Sequence, residues 1–158
     1  SMVYRFCLIV LLCLSFNLEA SKLQWQVKRR IGNTSVWKST QDQSFRASTQ
    51  VINGESYLNK LPNKKEFIKD LEKKKKRGMS FLGISNWKAS IYEWKEDSLK
   101  IRGTYTDSKK RNIYFVEKHF FLKNKRIICL LTSEEKNSLS KSTSESFFEE
   151  AFRWEKNK

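Results

Sequence analysis

Glu117 and His119 are the one carboxylate–imidazole pair that local sequence alone could bring together in this chain, which holds a single histidine. Two residues apart on an extended run, they share a face. A Glu to take a proton, a His to return it and an Arg to hold a phosphate are the parts of a ribonuclease. Antiparallel pairing with Asp107 opposite Asn112 would set Arg102 across from Glu117 and Lys100 across from His119. The same residue types also make a cross-strand ion pair with a partly covered imidazole, and two side chains without convergent geometry are not a site. No catalytic residue is therefore assigned, and Glu117, His119 and Arg102 stand as the ribonuclease alternative.

The second chemical feature is the cation run Lys73, Lys74, Lys75, Lys76 and Arg77. It suits an anionic ligand (a nucleic acid, an acidic polysaccharide or an anionic membrane), and equally a solvated helix end, where cations complement the negative pole of the dipole. Further cations at 28–30, 109–111 and 123–126 spread the charge over the chain instead of focusing it, which weakens a groove for nucleic acid. One His and scattered acidic residues cannot build a zinc site, and there is no Gly-rich phosphate loop, nucleophile elbow or CxxC. No metal and no cofactor is expected. Trp87, Tyr92 and Trp94 are the best placed of the aromatics to stack on a base, although cross-strand packing is the commoner use.

These residues need elements to hold them. Residues 99–106 alternate apolar and polar, 112–123 are rich in aromatic and β-branched types, and 126–132 are nearly continuous apolar sequence. They read as three antiparallel strands joined at 107–112 and at Asn124-Lys125. That register places Leu99, Ile101, Tyr105, Tyr114, Val116, Phe120, Leu122, Ile127, Cys129 and Leu131 on one face, interrupted only by Lys118. The other carries Lys100, Arg102, Ile113, Phe115, Glu117, His119, Phe121, Ile128 and Leu130. Both faces are apolar enough to need cover. Residues 87–94 form a fourth strand, Leu23 to Val27 a short one, and 36–38 and 44–52 weaker ones. Asn63 caps the clearest helix, with Glu66 at the capping-box position, Phe67, Ile68 and Leu71 on one side and Gly78 at its end. Leu139, Thr143, Phe147, Phe148, Ala151 and Phe152 mark a C-terminal amphipathic helix.

A length of 158 residues with 11 Phe, 5 Trp and 5 Tyr is enough for one core, and one Pro with five Gly excludes a disordered or fibrous chain. The formal charge of +15 favours anionic partners. Residues 6–14 are an apolar run with Arg5 before it and Ala20-Ser21 after it, the layout of a secretory signal peptide over residues 1–20. Cleavage there would remove Cys7 and Cys13 and leave Cys129 alone, so no intramolecular disulfide is expected.

The order of elements, a short N-terminal strand pair, a helix, an antiparallel meander and a final helix ending in Phe147-Phe148-x-x-Ala151-Phe152, resembles the PsbP-like superfamily, including periplasmic relatives of the DcrB type. Residues 127–133 sit like that family's late strand. The family's usual Pro-x-x-Trp near its start has no counterpart here. The resemblance implies a twisted antiparallel sheet between helices and a non-enzymatic accessory role. The expectation is thus an α+β domain over residues 21–158, an antiparallel meander flanked by an internal and a C-terminal helix. Its expected role is that of a secreted or periplasmic, non-catalytic binding protein whose basic surface meets a protein or an anionic polymer. A small secreted ribonuclease or a non-specific nucleic-acid-binding protein is the alternative.

Overall fold

A computed structural model describes residues 24–42, 44–54 and 63–158. The apolar run at 6–14, the cleavage position near Ala20, Cys7, Cys13 and the start of the first expected strand at Leu23 lie outside those residues.

The described chain is α+β: one seven-stranded antiparallel sheet and two helices. Its strands are β1 (Trp25–Ile31), β2 (Thr34–Ser39), β3 (Arg46–Asn53), β4 (Ser85–Lys95), β5 (Ser98–Thr106), β6 (Asn112–Phe121) and β7 (Lys125–Ser133). Helix α1 (Lys64–Ser80) stands between β3 and β4, and α2 (Lys141–Lys156) ends the chain. The spatial order β1-β2-β3-β7-β6-β5-β4 joins a three-strand meander to a four-strand meander through the β3–β7 pairing. The edges are β1, with one break in register between Val27 and Arg29, and β4, with two.

Each hairpin follows from its turn. Gly32, at φ 59°, lets β1 and β2 reverse within two residues. At the β5–β6 turn the Asp107 carboxylate accepts from the backbone N–H of Lys109 (3.0 Å) and Arg111 (2.8 Å), and Lys110 takes φ 64°. This builds an odd-numbered loop of five residues, so Thr106 pairs with Asn112. The expected register is therefore wrong by one, and β5 exchanges its faces. Leu99 lies opposite His119 and Ile101 opposite Glu117, while Lys100 and Arg102 turn to the other side. At the β6–β7 turn the two-residue loop is Lys123-Asn124, closed by Leu122 N–H on the Lys125 carbonyl (2.9 Å). The pairing moves by two residues, Phe120 opposite Ile127, and every side chain keeps its face.

Apolar side chains gather in two clusters. One joins Trp25, Trp37, Ala47, Val51, Val116, Ile127, Cys129 and Leu131 to Phe147, Phe148 and Ala151 of α2. The other joins Trp87, Leu99, Ile101, Phe115 and Phe121 to Leu71 of α1, with Phe67 and Met79 at its rim. Trp87 is buried and stacked on Phe115 (centroids 5.5 Å), and Trp94 stacks on Phe121 (6.0 Å), so these rings are packing partners and not a platform for bases. Gly78 does not end α1. The helix runs on to Ser80, and Gly83, at φ 72°, makes the turn into β4.

Candidate functional site

Strand β6 carries Glu117 and His119 inward beneath α1, where both are fully buried. His119 Nε2 lies 2.7 Å from Glu117 Oε2. Lys75 of α1 reaches down and donates to Glu117 Oε1. Helical spacing explains the reach: Leu71, Lys75 and Met79 recur every four residues on the side of α1 that meets the sheet. Burial alone would raise the Glu117 carboxyl, but His119 and Lys75 outweigh it and bring it down to about 2. Burial is the largest influence on His119, and with Arg126 and Lys75 nearby it holds the imidazole below its ordinary value against the pull of Glu117. The pair therefore rests as a carboxylate and a neutral imidazole whose Nε2–H donates to it. His119 Nδ1 is buried with no hydrogen-bond partner among the described residues. The ring is nearly parallel to Phe121 at 6.2 Å. Beside this triad, Tyr92 donates to Glu72 at 2.5 Å, a second polar tie between β4 and α1, and burial pushes its hydroxyl pKa up.

The residue assigned to hold a phosphate is elsewhere. Arg102 lies on the opposite face, where its guanidinium donates to the Leu139 carbonyl (3.0 Å). Lys100 accompanies it there, 3.0 Å from Glu145 of α2, and Lys118 approaches the same carboxylate at 3.6 Å. Burial tends to raise Glu145, but the two lysines prevail and lower it. The structure thus unites Glu117 with His119, seals both from solvent, and separates Arg102 from them. General acid–base catalysis needs the reacting proton within hydrogen-bond reach, and no substrate atom reaches these two groups in this packing.

Of the cation run, Lys75 alone turns inward. Lys73, Lys74, Lys76 and Arg77 are exposed. Lys74 pairs with Asp70 one turn earlier (2.9 Å). Lys73, Lys76 and Arg77 have no ion pair among the described residues. Close to the C-terminal end of α1 an open cleft of about 420 Å³ is lined by Arg46, Leu82, Tyr105, Lys109, Arg111 and Glu134, among others. Arg111 is bound to Asp107 (2.7 Å) and Glu134 (3.2 Å).

A further buried centre escapes sequence reasoning. Glu155, near the end of α2, accepts from Arg30 (2.9 Å), Ser35 (3.0 Å) and Thr49 (2.9 Å), and Trp37 Nε1 donates to Thr49 Oγ1 (3.0 Å). These partners come from three strands more than a hundred residues away, so no local pattern announces them. The donors saturate the carboxylate and pin α2 to the sheet. Cys129 is buried, and its thiol is pushed up by burial, which makes it inert packing. Among the described residues no cluster of His, Cys, Asp or Glu could hold a metal ion, and no helix is long and apolar enough to cross a membrane.

No family model and no curated protein matches the chain. Among solved structures, the chain is similar to a crystal structure from Bacteroides thetaiotaomicron at 10% sequence identity and a TM-score of 0.48. The similarity covers 78% of this chain and 40% of that one, so the chain spans less than half the length of the neighbour it matches.

Proposed function

We propose that this chain is a non-catalytic binding or accessory module, secreted or periplasmic, that engages an anionic partner through the outer face of α1. In this reading the sheet is a core flanked by α1 on one side and α2 on the other, in the manner of the PsbP-like proteins whose element order it resembles. The observation that carries it is the division of labour within the lysine run. Lys75 is spent on a buried carboxylate, while Lys73, Lys74, Lys76 and Arg77 stand in solvent on the outer side of one helix. Their charges sit within two turns of one another, which concentrates positive potential on that side. A net charge of +15 adds long-range attraction for anions.

Heparin serves as the probe of an anionic polymer. Replacing Lys73, Lys74, Lys76 and Arg77 together by Gln should lower heparin affinity at least about tenfold and flatten its dependence on salt. Equal affinity of the variant and the wild type would remove α1 as the contact. RNA incubated with wild type and with His119→Ala should stay intact in both cases. Cleavage by the wild type alone would return the ribonuclease reading.

A further inference from the structure

Phe81 and Leu82 lie immediately beyond the last turn of α1, 86% and 69% exposed. Scattered apolar residues on a surface need no explanation, but these two are adjacent, at the turn between α1 and β4, with cations on both sides of that turn. Phe81 keeps helical backbone angles (φ −64°, ψ −25°), so Lys73, Arg77 and Phe81 follow one another at four-residue spacing on one side of the helix. Leu82 follows in the turn, its N–H donating to the Met79 carbonyl (3.0 Å). The chain then turns at Gly83, where an added Cβ would stand 3.1 Å from Ser108 Cβ, so the β5–β6 turn with Lys109 and Lys110 flanks the apex. Leu82 shares its cleft with Arg46 and Lys109, and with Asp107 and Glu134, whose carboxylates are both paired with Arg111.

We propose that this apex is a membrane-surface docking site, in which Phe81 and Leu82 enter the headgroup–acyl boundary of an anionic bilayer while Lys73, Arg77, Lys109 and Lys110 meet the lipid headgroups. The inference rests on the anionic-partner reading above and deepens it by naming the partner. A soluble polyanion offers the cations their counter-charge but gives Phe81 and Leu82 no apolar phase to enter. A bilayer with acidic lipids offers both, and a basic surface with an apolar tip is the combination that interfacial binding uses.

The test uses the full chain with vesicles of phosphatidylcholine, vesicles of phosphatidylcholine mixed with phosphatidylserine, and heparin. Because the apolar residues 6–14 could hold the chain on any bilayer, the readout must report the apex itself. Phe81→Trp supplies it: brominated lipid should quench this variant more than the wild type in phosphatidylserine vesicles, and not in phosphatidylcholine alone. The double variant Phe81→Ser, Leu82→Ser should lose about tenfold in affinity for the anionic vesicles and change by less than about twofold toward heparin. No added quenching at position 81, or vesicle binding by the double variant equal to wild type, overturns the apex. Binding to heparin or RNA without binding to anionic vesicles overturns it too, and leaves the basic surface as a polymer site. Failure to bind either vesicles or heparin overturns both readings.

Discussion

Lys75 belongs to a run of five cations but serves a different purpose from its neighbours, because the helix turns it toward Glu117. A carboxylate buried this deeply is tolerated only with its partners in place. Lys75→Met should therefore lower the unfolding free energy by about 2 kcal/mol in urea titration, less than the roughly 3–5 kcal/mol of a fully buried pair because the lysine is partly hydrated. An unchanged midpoint would show that His119 alone satisfies Glu117. The same centre sets a pH dependence. His119, facing Glu117, Lys75 and Arg126, is held below its ordinary 6.5, so the unfolded chain takes up that proton first. Its contribution is complete above 6.5 and declines as pH falls. Glu117, at about 2 against 4.5, adds a loss of the same sign between those values. Between about pH 8 and about pH 5 the wild type should lose stability that His119→Leu does not lose, since histidine is the group that titrates there. Equal losses in both proteins would remove the imidazole from the account. That Glu117 and His119 meet was readable from their spacing. Lys75 was not, because 42 residues separate it from its partner.

At the scale of elements, the strands were legible wherever apolar residues alternate, while their partners depended on turns. One extra residue at Asp107–Arg111 moved Arg102 away from Glu117, and the Asp107 side chain that causes it looks in sequence like any polar turn residue. The end of α1 was misread for a related reason. Gly78 costs a helix only about 1 kcal/mol, and tertiary packing of Met79 carries the helix past it. Gly103 shows the opposite case of a glycine that cannot be replaced. A Cβ there would lie 2.1 Å from the Lys88 carbonyl oxygen and 2.8 Å from Phe115 Cζ, where β4 bends across β5. Gly103→Ala should destabilise by about 3 kcal/mol, through overpacking against backbone. Thermal unfolding of that variant within a degree or two of wild type would mean that β4 shifts freely, against the pairing described.

For the whole molecule, the sequence displays the α+β composition but not the β3–β7 junction that fuses two meanders into one sheet. That pairing runs from Arg46↔Thr132 to Asn53↔Lys125 across some eighty residues, and neither strand signals the other locally. The surplus of positive charge is likewise a property of the whole. Self-repulsion weakens the compact state, so an anion that binds the folded form should relieve it. Added heparin should raise the melting temperature at low salt, and the gain should shrink as salt is added. A shift independent of salt would point to a contact other than charge.

The two register breaks in β4 bear on how copies of this protein behave when crowded together. This outermost strand holds Trp87, Tyr92 and Trp94, a composition that on a flat ribbon would invite self-templating. A ribbon offset twice within Ser85–Lys95 cannot offer a foreign backbone an unbroken ladder, and at the far rim the exposed Lys28 and Arg29 repel their own kind. Concentrated stocks should consequently resist fibril growth for as long as the fold persists, and seeding should begin only after β4 has straightened.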